Sequence, residues 1–458
     1  MIFGTDGVRD RVGEGYLSHG SIERIVAAAA RTLEDPGRYS EDFPHGRGRT
    51  VVVARDTRAS GAGICEDVGR GFARHGYCVL DLGVLPTPGA AFIASAWPDT
   101  ALGVVVSASH NPADYNGIKF LAPTGAKISP DFEKAVSNAF WDVASASAVA
   151  SPAKPLDRAA DAFEAYVRHL VAACKKPERL QGKKIAIDAA NGAAYRVAPE
   201  VFRRLGLRLD TLGVEPDGRN INHRCGALHP EGLGRRVVQE NAALGFSFDG
   251  DADRMIPVTA SGTALDGDFV LCLAGLSFHR AGRLASRTVV ATTMSNLGLE
   301  LALGAAGIRL LRTDVGDRNV YLEMIAGRHP VGGEQSGHVI FLEDALTGDG
   351  VLAAIRLLEV LESDSLDLGA EASVMKRYPQ MLRSIHVREK VPLEALPRVQ
   401  EAVRVAEARL KGQGRIVLRY SGTEPLVRVM IEGPDSRTVE VLTQEVCDAI
   451  RQSLPGSE

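Results

Sequence analysis

The sequence predicts an α/β protein divided into several domains, and three observations lead there. A chain of 458 residues exceeds what one hydrophobic core serves; at about 100–200 residues per domain it implies roughly two to four units. The first third alternates strand and helix signals: TVVVARDT (50–57), an amphipathic stretch from Ser60 to His75, CVLDLG (78–83) and ALGVVVS (101–107). That order is what a parallel sheet covered by helices requires. The last part, from about Met375, sets the strands RSIHVRE (383–389) and GRIVLRY (414–420) around helical stretches at 393–411 and 436–453. This is an α+β mixture rather than another wound sheet.

Between these ends the chain divides at composition changes. After Lys127, ISPDFEKAV offers Ser129 as N-cap, Pro130 at the first helical position and acids in the first turn, so a helix follows. SASAVASPAKPLD (145–157) is small-residue and proline-containing, and reads as a linker closing the first domain. Phe163, Tyr166, Val167, Leu170, Val171 and Cys174 keep helical spacing and open a second unit. Its strand KKIAIDAANG (183–192) and helix EGLGRRVVQENAA (231–243) lead into the strand LGFSFDG (244–250). A third unit runs from about Pro257 through VVATTMSN (289–296) to a charged helical region ending near Asp367. The expected domains are therefore 1–152, 153–256, 257–374 and 375–458.

Composition narrows the function class. Hydrophobic residues at 45% and charged residues at 24% are ordinary for a soluble globular protein. Lys plus Arg (53) against Asp plus Glu (57) gives a net charge of -4, which points to neither nucleic acid nor an anionic membrane. The N-terminus, MIFGTDGVRDR, carries acids and no apolar run, and no segment approaches the roughly 18 apolar residues of a membrane span, so a cytoplasmic protein is expected. Cys65, Cys78, Cys174, Cys225, Cys272 and Cys447 form no CxxC pair, which argues against a zinc knuckle or a disulfide framework.

Five short stretches carry chemistry. In FDGDADR (248–254), Asp249, Asp251 and Asp253 alternate just after a strand, a spacing that can converge three carboxylates on a hard cation such as Mg²⁺. An EF-hand does not fit, because the sixth position is Arg254 rather than Gly and the twelfth is Ala260 rather than Glu. In VVVSASHNPADYNGIKF (104–120) a buried strand ends in a small polar knot. Ser109 could be a nucleophile, His110 or Lys119 a proton-transfer or phosphate-contacting group, and Asn111-Pro112 the bend that presents them; a capped strand end is the plain alternative. RYSGTEPLVR (419–428) is a Gly-centred turn whose backbone, Ser421, Thr423, Arg419 and Arg428 suit a phosphate dianion, and it also reads as a hairpin. GGEQSGH (332–338) offers Glu334, Ser336 and His338 to hydroxyl groups and matches neither GxGxxG nor a P-loop. FGTDGVR (3–9) places Arg9 after a turn and by itself reads as structural.

Taken in order, FGTDGVR, SASHNP, DGDADR, GGEQSGH and RYSGTEP resemble the phosphohexomutase superfamily over nearly the whole chain. GGEQSGH with Gln335, ATTMSNLGLE (291–300), VGDRNV (315–320) and RYSGTEPLVRVMIEG (419–433) are similar to its bacterial amino-sugar members. In the mannose- and glucose-phosphate members, Met commonly fills the place of Gln335. The resemblance implies three related mixed α/β domains and a smaller C-terminal α+β domain, heart-shaped around a central cleft. It implies a phosphoserine domain, a metal-binding domain, a sugar-binding domain and a phosphate-binding domain, in that order. Ser109 would be the phosphoserine, with Mg²⁺ held by its phosphate and by Asp249, Asp251 and Asp253. Glu334 and Ser336 would grip sugar hydroxyls; Ser421, Gly422, Thr423 and Arg428, with Arg419 beside them, would hold the non-reacting phosphate. Arg9, His110, Lys119, Arg254 and His338 would surround the transfer site.

The activity so implied interconverts glucosamine 6-phosphate and glucosamine 1-phosphate through glucosamine 1,6-bisphosphate, or another hexose 1,6-bisphosphate as activator, and feeds amino-sugar nucleotide and cell-wall precursor synthesis. A homodimer is expected from the resemblance alone. Tyr420 stands where Lys is common before SGTEP, and DFPHGRGR (42–49) looks like an added surface loop. Three competing readings are a mannose- or glucose-phosphate mutase of the same fold, a metal-dependent phosphatase using Ser109, and a non-catalytic phosphosugar-binding protein. A phosphatase would not need RYSGTEPLVR, and a binding protein would not need Ser109 beside an intact DGDAD.

Overall fold

The computed structural model describes residues 1–4, 6–44, 48–142, 154–361, 366–421 and 425–454. Among them the first sheet contains β1 (Val8–Arg11), β2 (Thr50–Arg55), β3 (Cys78–Val84), β4 (Thr100–Val106), β5 (Tyr115–Leu121) and β6 (Leu156–Asp157), in the order β1-β5-β4-β2-β3-β6. The strands from β4 to β6 run parallel, but β5 pairs antiparallel with β4 and with β1. The parallel order expected from the sequence holds for β4, β2, β3 and β6, and the sheet as a whole is mixed. Residues 107–114 are too few for a parallel crossover and return the chain as a hairpin, which puts the SASHNP stretch at a strand turn.

Alternate side chains of β2 feed two layers. Val51 and Val53 face α1 (His19–Thr32), α2 (Gly61–Arg74) and α4 (Pro130–Asp142), while Val52 and Ala54 face the layer of α3 (Thr87–Ala96) and α5 (Ala159–Ala173). Helix α5 packs on both α3 and α6 (Ala194–Arg204), so one helix serves two domains. Most of the expected linker lies outside the described residues, and β6 adds Leu156 and Asp157 to the first sheet.

The second sheet, in the order β10-β9-β7-β8, consists of β7 (Lys184–Asp188), β8 (Arg208–Leu212), β9 (Leu244–Phe248) and β10 (Met255–Thr259), covered in part by α7 (Glu231–Gln239). Strand β10 crosses the expected junction at residue 256, because its buried residues complete this sheet beside β9. The third sheet holds β11 (Thr288–Thr292), β12 (Arg309–Thr313), β13 (Val331–Gly333) and β14 (Val339–Phe341). Its helices are α8 (Gly267–Arg280), α9 (Leu297–Ala305), α10 (Asp317–Gly327), α11 (Gly350–Val360) and α12 (Leu368–Ala372). The last sheet, β15 (Gln380–His386), β17 (Leu426–Glu432) and β16 (Arg415–Tyr420) in that order, packs against α13 (Pro397–Leu410) and α14 (Ser436–Ser453).

One buried core runs through the first three units, whereas the C-terminal unit has a core of its own, including Ile385, Val429, Leu442 and Ile450. Among the described residues the cysteines are free, and no helix is long and apolar enough to cross a membrane.

Candidate active site

Ser109 sits in the β4–β5 turn with φ of 52°, a left-handed backbone that serine seldom adopts. Several groups hold it there. Its N–H donates to Ser107 Oγ at 2.9 Å, and Ser107 Oγ donates to Asp56 Oδ2 at 2.7 Å. Asp56 in turn pairs with Arg58 at 2.8 Å, both side chains fully buried. The Arg58 guanidinium donates to the carbonyls of Ser109 (3.0 Å), Asn111 (2.8 Å), Tyr115 (3.0 Å) and Pro112, so one side chain fixes the whole turn. From the second domain, Asn222 Nδ2 donates to the Ser109 carbonyl at 2.9 Å. Any Cβ at Gly250 would fall 2.5 Å from that same oxygen, so only glycine lets the two domains meet here.

The outcome is a buried Ser109 hydroxyl that donates to Asp249 Oδ2 at 2.9 Å and lies 3.4 Å from His110 Nδ1. Asp249, Asp251 and Asp253 occupy the turn between β9 and β10, all buried, with carboxylate oxygens within 4.8 Å of one another. Burial, with Asp253 and Asp251 beside it, pushes the Asp249 carboxyl well above the usual range. Asp251 Oδ2 accepts from Lys119 Nζ at 2.8 Å and Thr87 Oγ1 at 2.6 Å. Asp251 Oδ1 and Asp253 Oδ1 are buried without a hydrogen-bond partner. Crowded carboxylates with open oxygens form a hard donor set, and a divalent cation fits it.

Cations frame the acids. Lys119, on β5 and buried, pairs with Asp251 (2.8 Å) and Asp6 (2.6 Å). Burial opposes its charge, but the two carboxylates hold it protonated well above the usual range. Arg9 meets Asp6 at 2.5 Å, and Lys127 joins Asp6 (2.6 Å) to Asp317. His338 stands between Asp253 (3.6 Å) and Asp317 (3.7 Å), which raise its pKa against the effect of burial. The Arg254 N–H donates to Asp249 Oδ1 at 3.3 Å. His110 behaves oppositely: burial, then the charges of Arg254 and Arg9, bring its pKa down to about 4, so its ring is neutral at neutral pH.

The β13–β14 turn supplies the third set. Glu334 Oε1 accepts from the Gly316 N–H at 3.1 Å, and Ser336 Oγ donates to Glu334 Oε2 at 3.3 Å. Gln335 donates to the buried carboxylate of Asp268 at 3.2 Å. The fourth set stands apart on the last sheet, where Arg419 and Arg428 are direct partners across β16 and β17. Burial and the neighbouring Arg428 charge lower the Arg419 pKa. The Ser421 N–H donates to the Leu426 carbonyl at 2.8 Å, and Lys390 Nζ donates to the Ser421 carbonyl at 2.8 Å. Gly422 and Thr423 lie outside the described residues.

The structure thus gathers Arg9, Ser109, His110, Lys119, the three aspartates, Arg254 and His338 into one centre. Sequence reasoning gives no role to Asp6, Arg58, Thr87, Lys127, Asn222 and Asp317, of which only Asp6, within FGTDGVR, and Asp317, within VGDRNV, lie in stretches that carried a signal.

Family models described as phosphoglucomutase/phosphomannomutase α/β/α domains I, II and III match residues 1–146, 164–262 and 266–378, and the model of the C-terminal domain matches 383–449. The phosphoglucosamine mutase of Solibacter usitatus is 42% identical over 99% of both chains. That of Thermobifida fusca is 41% identical over 99% of this chain and 98% of its own. A solved phosphoglucomutase/phosphomannomutase family protein from Burkholderia thailandensis superposes with a TM-score of 0.79 at 25% identity, covering 100% of this chain and 98% of that one. The N-acetylphosphoglucosamine mutase of Aspergillus fumigatus, solved with GlcNAc-6P and magnesium, shares the fold at a TM-score of 0.63 and 18% identity, covering 99% of this chain and 96% of its own.

Proposed function

The chain belongs to the phosphoglucomutase/phosphomannomutase family of phosphohexomutases, which are isomerases, and from that premise we propose that it interconverts glucosamine 6-phosphate and glucosamine 1-phosphate. The observation that carries this reading is the meeting, across two domains, of the Ser109 hydroxyl with Asp249 at 2.9 Å. The first domain supplies the phosphoserine, the second the metal-binding carboxylates, the third the sugar contacts and the fourth the distal phosphate site.

Asp249, Asp251, Asp253 and a phosphorylated Ser109 would hold Mg²⁺. When bound, that ion neutralises charge on the phosphoryl oxygens. Phosphorylated Ser109 passes its phosphoryl group to O1 of glucosamine 6-phosphate: the Oγ–P bond breaks and the O1–P bond forms. Lys119 is paired with Asp251 and Asp6. The neutral ring of His110 takes the O1 proton and, 3.4 Å from Ser109 Oγ, returns it to the serine oxygen. Lys119, Arg9 and Arg254 stabilise charge on the moving group. Glu334 and Ser336 hold ring hydroxyls, with His338 closing the site beside Asp253. The 1,6-bisphosphate then turns around, its 6-phosphate returns to Ser109, and glucosamine 1-phosphate leaves. Arg419, Ser421, Gly422, Thr423 and Arg428 hold whichever phosphate is not reacting.

The same reading puts the enzyme in the cytoplasm as a homodimer, supplying amino-sugar nucleotide and cell-wall precursor synthesis. Its test is conversion of glucosamine 6-phosphate with Mg²⁺ and a trace of hexose 1,6-bisphosphate, with mannose and glucose phosphates alongside. A preference for the amino sugar is expected. A preference for mannose or glucose phosphate would keep the chemistry and overturn the substrate.

A further inference from the structure

Thr87 belongs to the first domain and stands outside the reacting groups described above, yet it grips one of the proposed metal ligands twice. It is the buried first residue of α3, a helix start without a side-chain cap. Its N–H, a donor that the helix itself leaves unpaired, donates instead to the Asp251 carbonyl at 3.0 Å. Its Oγ1 donates to Asp251 Oδ2 at 2.6 Å, across 164 residues of sequence. One threonine thus fixes both the backbone and the side chain of Asp251, and the second bond sets the direction of the carboxylate.

The two oxygens of Asp251 are not equivalent. Oδ2 accepts from Thr87 and from Lys119 Nζ at 2.8 Å, whereas Oδ1 is buried with no hydrogen-bond partner. A carboxylate has about four lone-pair sites on its two oxygens, so two donors fill Oδ2 and leave Oδ1 open. Lys119, which also pairs with Asp6 at 2.6 Å, brings charge on a flexible stem. The Thr87 hydroxyl sits on a short, β-branched side chain that is stiff at χ1 and brings direction. The loop itself is held without that hydroxyl. Gly350 of the third domain donates its N–H to the Ala252 carbonyl at 2.9 Å, and a Cβ at Gly350 would fall 2.6 Å from the Arg254 carbonyl.

Divalent cations differ in how they use a carboxylate. Mg²⁺ demands near-ideal octahedral geometry, while Ca²⁺ takes more ligands in a flexible arrangement and accepts a carboxylate through one oxygen or two. A carboxylate locked to offer a single oxygen suits the first cation better than the second. We propose that Thr87 is a positioning residue that leaves Oδ1 of Asp251 as the oxygen offered to the divalent cation and favours Mg²⁺ over Ca²⁺ there; this rests on the role given above to the three aspartates.

The test titrates Mg²⁺ and Ca²⁺ calorimetrically into the dephosphorylated, chelator-stripped protein, comparing the parent with Asp251→Asn, Thr87→Val and Thr87→Ser and following thermal melting alongside. Thr87→Val keeps the shape of the side chain and the N–H bond to Asp251 and removes only the hydroxyl. Losing the hydrogen-bond partner of a metal ligand predicts a roughly ten- to hundredfold weaker Mg²⁺ affinity. Ca²⁺ affinity should fall by less, so the preference for Mg²⁺ falls with it. Thr87→Ser, which retains the donor, should keep both the affinity and the preference close to the parent's. An unchanged Mg²⁺ affinity in Thr87→Val, equal losses for both cations, or a Thr87→Ser that behaves as Thr87→Val does would overturn the inference and leave Thr87 a clamp between two domains. If thermal melting shows Thr87→Val unfolded, Thr87→Ala is read against the same expectations. A parent whose Mg²⁺ binding does not depend on Asp251 removes the metal reading and the inference with it; a parent that loses Mg²⁺ in Asp251→Asn but not in Thr87→Val removes the role of Thr87 alone.

Discussion

Ser109 lies in a turn held from several sides by Arg58, Asn222 and Asp249, two of them from the second domain, whereas Arg419 and Arg428 stand on a hairpin of a sheet with its own separate core. Polar contacts bind that last domain to the third. Arg415 donates to the carbonyls of Thr293 (2.9 Å) and Ser295 (2.8 Å), Gln380 donates to Met294 (3.1 Å), and Asn296 and Tyr378 exchange two bonds. Interfaces of this kind permit relative motion, while a shared apolar core resists it. Ser109, the proposed phosphoryl carrier, is immobilised at the junction of two domains with one core, and the arginine pair proposed to hold the other phosphate is carried on a body whose core is separate and whose contacts to the third domain are polar.

The largest effect should come from the rigid end. Ser109→Ala removes the atom that carries the phosphoryl group, so turnover should fall by about 10⁴-fold or more. The fold loses only the hydroxyl's contacts to Asp249 and His110, and the melting temperature should stay near the parent's. Substantial residual mutase activity would place the phosphoryl carrier elsewhere and dissolve the contrast between the two ends.

Arg58→Lys asks whether rigidity itself matters. Lysine keeps the charge facing Asp56 but cannot serve four carbonyls from one planar fork. A turn displaced by about 1 Å costs on the order of 10²-fold in rate. The expected outcome is a loss of that size in kcat with little change in KM, measured alongside thermal melting. An unaltered kcat would mean that the turn holds its shape without the guanidinium.

The same contrast explains what could be read in advance. Strand β4 is visible as a run of buried apolar residues, and the acid spacing of FDGDADR survives folding because all three carboxylates come from one turn. Strand β5 is not visible: YNGIKFL interrupts its apolar pattern with Asn116, Gly117 and Lys119, and the buried lysine is compensated by Asp6 and by Asp251, which arrives from 132 residues away. The expected junction at residue 256 divides β10, whose pairing with β9, Pro257 opposite Phe246, is not legible from its own residues. Asp6, Lys127 and Asp317 belong to three segments, and their meaning arises only where those segments meet. Arg58 shows the same limit, since its four acceptors lie 51 or more residues along the chain.

The smallest effect should come from the C-terminal hairpin. Arg428 faces Arg419 across the hairpin, and, with burial, the Arg428 charge helps to lower the Arg419 pKa, a repulsion between like charges. A phosphate dianion would relieve that repulsion while accepting hydrogen bonds from both. Arg428→Ala should therefore weaken substrate binding by the value of a charged hydrogen bond, a roughly ten- to hundredfold rise in KM. Because Arg428 is proposed to hold the phosphate that is not reacting, kcat should change far less than it does in Arg58→Lys. A fall confined to kcat would tie Arg428 to the transferring group. The rigid end and the C-terminal hairpin would then act as one catalytic unit, and the C-terminal domain would have to be closed on the site during transfer.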